Sequence, residues 1–134
     1  MRLPSGHTLI YPKPKLSWKG DPGTTPDWDD TFNVEIKFWG IMPNTTRWGW
    51  CTTYGGKLLE NATQGICGDF MANGAVQAAK HGYHAFMLVH DELIGPQYKG
   101  QDHETLCKHL CSLPDWAEGM PLAAEGETIP FYKK

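Results

Sequence analysis

A chain of 134 residues is at most one ordinary domain, with room for a modest core. Six Trp, five Tyr and five Phe supply apolar area to bury, and a formal net charge of −3 argues against a generic polyanion binder. The charge is uneven: residues 1–20 carry Arg2, Lys13, Lys15 and Lys19 with no carboxylate, whereas residues 115–127 carry Asp115, Glu118, Glu125 and Glu127 with no Lys or Arg. Cys51, Cys67, Cys107 and Cys111 form no C-x-x-C pair and read as buried free thiols of a reducing compartment. Pro4, Ser5 and Gly6 interrupt any apolar leader, and no run reaches the length of a membrane span. A soluble, cytoplasmic protein is expected.

In chain order, Leu3-Pro4-Ser5-Gly6 is turn chemistry, and residues 7–11 read as a short strand stopped by Pro12 and Pro14. Lys13 and Lys15 read either as a solvated edge or as phosphate contacts. Residues 17–32 are loop, dense in Gly, Pro, Asp and Thr; Asp27, Asp29 and Asp30 are more simply turn formers than metal ligands. Residues 33–39 alternate, with Val34, Ile36 and Phe38 on one face, as a half-exposed antiparallel strand does. Residues 40–49 read as irregular.

From Gly55 the pattern turns helical. Leu58, Ala62, Ile66 and Phe70 recur every four residues, Ala75, Val76 and Ala79 continue the face, and Gly82 stops it. Asn61 and Gln64 lie three apart on this helix, as a wet face or as amides able to meet base edges in a minor groove. Phe86-Met87-Leu88-Val89 lacks period-2 alternation and predicts a strand buried on both faces. It runs into His90-Asp91-Glu92, where a turn must fall, because unpaired charge does not stay in an interior. A strand-turn-strand would present an imidazole and two carboxylates, the hard oxygen ligands a divalent cation takes. An acidic tip facing water is the simpler alternative. A second helix is expected from Asp102 as cap to about Ser112, burying Leu106 and Leu110. His103, Cys107 and Cys111 share one stripe of it, without the spacing usual for zinc. Residues 120–129 offer one further strand. The sum is α+β: a small antiparallel sheet and a hairpin, with a long and a shorter helix on one side. We expect a single partial domain over 1–134, with strands and irregular loops to residue 52 and helix, hairpin, helix and a final strand from residue 53.

Val89-His90-Asp91-Glu92-Leu93 resembles motif C of the family A (DNA polymerase I-like) DNA polymerases. Residues 54–64, Tyr-Gly-Gly-Lys-Leu-Leu-Glu-Asn-Ala-Thr-Gln, resemble the phage branch of that family. So do Pro114-Asp115-Trp116-Ala117-Glu118-Gly119-Met120-Pro121-Leu122, Ala124-Glu125-Gly126 and the Tyr132-Lys133 ending. Leu3-Pro4-Ser5-Gly6 with Tyr11 matches more weakly. The resemblance covers nearly the whole chain and is strongest over 53–98 and 113–133. It implies the C-terminal part of a polymerase palm, acting in DNA replication on primer-template DNA and deoxynucleoside triphosphates, with Mg²⁺ as cofactor and no membrane partner. By this resemblance Asp91 is the metal-binding aspartate, Glu92 its ancillary acidic neighbour and His90 the residue that steadies the primer terminus. Gln64 contacts the nascent pair through the minor groove, with Asn61 as its companion. Lys57 falls near an arginine of the bacterial branch at a different spacing.

The family's other metal-binding aspartate, in motif A, and its triphosphate-gripping Arg and Lys, in motif B, do not occur between Met1 and His90. An upstream polymerase fragment carrying both is therefore the expected partner, and the chain alone is expected to be inactive. The competing readings are a non-catalytic prophage remnant or a structural or DNA-binding module that kept the palm sheet. A stand-alone nuclease built on Asp91 and Glu92 lacks the further carboxylates it would want.

Overall fold

The computed structural model describes residues 1–18 and 34–132, so the Asp27, Asp29 and Asp30 cluster lies outside the described residues. The architecture is α+β: β1 (Lys15–Trp18), β2 (Val34–Ile41), β3 (Trp48–Thr53), α1 (Gly55–Lys80), β4 (Met87–Val89), β5 (Glu92–Ile94) and α2 (His103–Leu110), with a 3-10 turn at Asp115–Ala117. The chain forms two compact units, one of Met1–Leu3 with Thr8–Thr63 and the other of Pro4–His7 with Gln64–Lys134.

In the first unit the strands form one antiparallel sheet in the order β1-β2-β3. The expected strand over residues 7–11 is absent. Only Arg2 bridges Thr8, with Met1 and Leu9 exchanging hydrogen bonds beside them, because the intervening turn consumes the residues that would extend a ladder. Pairing begins instead after Pro14, where a proline that lacks an N–H costs nothing at an edge. Residues 48–53 form β3, which takes in Trp48 and Gly49 from the end of the stretch expected to be irregular, with Gly49, Cys51 and Thr53 buried and Trp48, Trp50 and Thr52 exposed. Tyr11 meets the edge of Phe38 at 5.1 Å between ring centroids.

In the second unit the core is small. Phe70 packs against Trp116 at 4.9 Å, and Ala78 and Ala117 are buried. The helix that carries Phe70 ends as its sequence predicts, with Gly82 at φ 84°, a left-handed closure that glycine adopts without steric cost. Asp102 caps α2, accepting from the Thr105 amide at 2.7 Å and the Thr105 hydroxyl at 2.9 Å, which holds its carboxyl below the ordinary value. Leu106 and Leu110 are half-buried. Residues 120–129 form no strand: Leu122-Ala123-Ala124 finds no neighbouring strand to pair with, and the segment runs without a ladder.

Glycine Gly74 sets how closely α1 and α2 approach. A Cβ there would lie 2.9 Å from the Leu110 carbonyl oxygen and 3.1 Å from its Cα, both backbone atoms. Gly68, two turns earlier and exposed, has nothing within 4 Å of that position. The two Gly→Ala substitutions should therefore have opposite signs in urea unfolding. Gly68→Ala gains about 0.5–1 kcal/mol of helix propensity. Gly74→Ala gains the same propensity but overpacks the contact by about 1–3 kcal/mol, for a net loss. Equal effects at both sites would show that the helices do not meet at Gly74.

Candidate functional site: an acidic hairpin tip

The β4–β5 ladder pairs Met87 with Ile94, Leu88 with Leu93 and Val89 with Glu92, which leaves His90-Asp91 as a two-residue turn. A further bond from the Phe86 amide to the Ile94 carbonyl, 3.0 Å, extends the base. Below it, Gly95 passes so close to the His84 carbonyl oxygen that a Cβ would sit 2.7 Å away. The strand-turn-strand expected from the sequence is thus present, but its burial is not. Phe86 is 70% and Leu88 54% exposed, because the hairpin is a two-stranded sheet of its own and its faces are only partly covered. An apolar run specifies that something should cover it, not that this chain supplies the cover.

At the tip, His90 has φ 55°, while Asp91 stays on the ordinary side. A positive φ at the first turn position only is the pattern of a type II′-like hairpin, in which glycine is the unstrained choice. Histidine tolerates the left-handed region better than most residues but at a cost of about 1 kcal/mol. Backbone strain of this kind concentrates where a side chain is needed in place. Asp91 is exposed beside it. The Glu92 carboxylate instead accepts a 2.9 Å hydrogen bond from the Tyr132 hydroxyl. That bond, with some desolvation and the adjacent negative charge, raises the Tyr132 pKa above the ordinary tyrosine value.

Because the folded value is the raised one, the Tyr132–Glu92 contact contributes fully below a pH of about 10, the ordinary tyrosine value, and is lost as pH rises through the folded value. Tyr132→Phe should therefore weaken the docking of residues 128–132 at neutral pH and remove that alkaline transition. Hydrogen exchange of the β5 amides at pH 7 and above pH 10 reads both effects. A variant whose exchange still changes across the alkaline range would show that another group titrates there.

The other sequence-predicted residues lie along α1. Lys57 pairs with Glu60 at 2.9 Å on the exposed side, and this hydrogen bond raises the lysine pKa. Asn61 is half-buried and donates to the Tyr11 hydroxyl at 2.9 Å, so its amide is part of the packing around Phe38 rather than a wet face. Gln64 is exposed one turn on. The structure brings His90, Asp91 and Glu92 together at one tip. Among the described residues no group of three or more His, Cys, Asp or Glu side chains converges as a metal site would require. All four cysteines are free, and only Cys51 is buried, so the expectation of buried thiols holds for that one. Burial raises the half-buried Cys107 thiol pKa. Among the described residues no helix is long and apolar enough to cross a membrane.

Sequence reasoning missed two features of the second unit. Tyr132 was visible only as part of a chain ending, and no periodicity links it to Glu92, 40 positions away. Asp69 on α1 anchors the Pro4–His7 turn, accepting a short hydrogen bond from Ser5 and pairing with His7 at 3.1 Å. Its place beside buried Phe70 was the available signal.

Small antiparallel sheets, a long helix and an exposed acidic hairpin together fit a partial palm-like α+β domain. The chain is 33% identical over 135 residues, along its full length, to a DNA polymerase of Bacillus phage SP02. It is thus related to a phage DNA polymerase, and it spans 19% of that relative's length. No family model and no solved structure matches it.

Proposed function

We propose that this chain is the C-terminal palm portion of a phage-type family A DNA polymerase, and that Asp91 supplies one wall of a two-magnesium nucleotidyl-transfer centre. The observation that carries the reading is the two-residue tip, where His90 is held in a left-handed backbone next to an exposed aspartate. Likeness to a phage polymerase along the whole chain supports it. In the reaction the primer 3′-hydroxyl attacks the α-phosphorus of a deoxynucleoside triphosphate and pyrophosphate leaves.

The donor chemistry at the tip fits part of such a centre. Magnesium takes hard oxygens from one or two carboxylates and completes its shell with substrate phosphates. Asp91, exposed in the turn, would hold it, whereas Glu92, the first residue of β5, is engaged by the Tyr132 hydroxyl. When bound, the ions stabilise the charge on the attacking and leaving oxygens. His90 steadies the primer terminus, and Gln64, Asn61 and Lys57 contact primer-template DNA; Asn61 and Lys57 must first exchange Tyr11 and Glu60 for it. Motifs A and B are supplied by polypeptide outside residues 1–134.

Primer extension tests this. The chain alone should extend nothing. Addition of a polypeptide carrying motifs A and B should restore extension that depends on magnesium and on Asp91. If no such partner restores it, the chain is a non-catalytic module.

A further inference from the structure

The hairpin tip leaves the three-stranded sheet unused. Its register puts Lys15 opposite Lys37 and Lys37 opposite Thr52, then Trp39 opposite Trp50 and Ile41 opposite Trp48. Residues opposite one another across a ladder share a face, so these side chains line one surface. Burial in β3 agrees: Trp48 is 58% and Trp50 42% exposed, while Gly49, Cys51 and Thr53 between them are buried. Trp39 and Trp50 meet edge to face at 5.5 Å. The Lys15 ammonium lies 3.6 Å from the Trp50 ring centroid, and that of Lys13 lies 5.7 Å from Trp39.

Such an arrangement is costly for a surface with no partner. Like charges directly across a ladder repel, and large indoles left in water forgo their burial. Within the sheet, Glu35 offsets Lys37 at 3.1 Å, while Lys13 and Lys15 have indole faces as their neighbours. An anionic ligand carrying flat rings satisfies both parts. Aromatic side chains beside lysines on an open sheet bind single strands by base stacking with phosphate pairing. Trp48 and Trp50, two positions apart on one strand, are about 6.8 Å apart along it, a spacing that an unstacked single strand can match base for base. Lysine's flexible stem lets Lys15 swing off Trp50 and pair with a phosphate as a base takes its place.

We propose that the face formed by Lys13, Lys15, Lys37, Trp39, Trp48 and Trp50 binds single-stranded DNA, two or three nucleotides at a time, without sequence preference. An uncharged apolar protein surface would suit the indoles but not the opposed lysines.

Titration of the intact chain with fluorescently labelled oligo-dT, read by anisotropy and by quenching of tryptophan emission, tests this. Binding should weaken steeply with salt, and duplex DNA of the same length should bind less well. Trp50→Ala should weaken binding about fivefold or more, and Trp48→Ala similarly. Lys13→Gln with Lys15→Gln, which leaves every indole in place, should lower both the affinity and the salt slope. Asp91→Ala should leave oligo-dT binding unchanged, which separates this site from the nucleotidyl-transfer reading. Failure to bind oligo-dT overturns the proposal, as does binding indifferent to Trp48, Trp50 and the lysines in variants whose circular dichroism matches the parent. Self-association abolished by Trp50→Ala, without DNA binding, would assign the face to a second copy of the chain and overturn it too.

Discussion

Asp91→Ala should abolish magnesium-dependent primer extension by the chain combined with a motif A and B polypeptide, by at least about 10²-fold, the scale of losing one electrostatic stabiliser at a reacting centre. The side chain is exposed at a turn and supports no packing, so the variant should unfold at the same urea concentration as the parent. That combination, lost chemistry with unchanged stability, distinguishes a metal-binding carboxylate from a structural one. Glu92→Gln keeps an acceptor for the Tyr132 hydroxyl and should cost about tenfold, the lower range for a group acting through a metal's surroundings. Extension by Asp91→Ala within threefold of the parent would remove Asp91 from the centre. Equal losses at Asp91 and Glu92 would mean that Tyr132 releases Glu92 when substrate binds.

Phe70→Ala should be the most damaging single truncation in the second unit, costing about 3–5 kcal/mol by loss of transfer energy and creation of a cavity. Its ring is buried against Trp116, and the close approach of Gly74 to Leu110 lies one turn further along the same helix. Small domains hold only about 5–15 kcal/mol in total. Few large side chains here are deeply buried, so no neighbouring cluster can absorb the loss. The expected result is a broad, early urea transition with loss of near-UV tryptophan dichroism as Trp116 is freed. Val76→Ala, on the exposed side of α1, should stay within about 0.5 kcal/mol of the parent. A cooperative transition retained by Phe70→Ala at the parent's midpoint would place the core elsewhere.

Helices and tip were legible in the sequence because their determinants are local. The four-residue recurrence ending at Phe70, the glycine at 82 and the Asp102 cap each act within a turn or two of the chain. His90-Asp91-Glu92 announced a turn because charge ends an apolar run. The sheet was only half legible. β2 alternates by itself, but Trp48-Gly49-Trp50 becomes a strand only through pairing with Ile41, Gly40 and Trp39, and a glycine between two indoles disguises the alternation. The final strand failed for the complementary reason, since Leu122-Ala123-Ala124 is a short apolar run with weak strand preference and no neighbour to pair with. Burial of Phe86–Val89 was misjudged because apolar character states a need for cover, whereas exposure depends on what else is present. The bonds from Tyr132 to Glu92 and from Ser5 to Asp69 join distant positions and leave no periodic trace.

The Asp69 anchor also decides how the molecule can be dissected. Residues 4–7 belong with the second unit although residues 1–3 and 8–63 belong with the first. No single cut in the chain yields both units whole. Cleavage within the helix near Thr63 leaves the downstream piece without Ser5 and His7, exposing an aspartate that had both as partners. Fragments intended to isolate the hairpin must therefore carry the Pro4–His7 turn, either grafted back by circular permutation or supplied as a peptide. A protease nick between the units should leave two chains that stay associated through that turn.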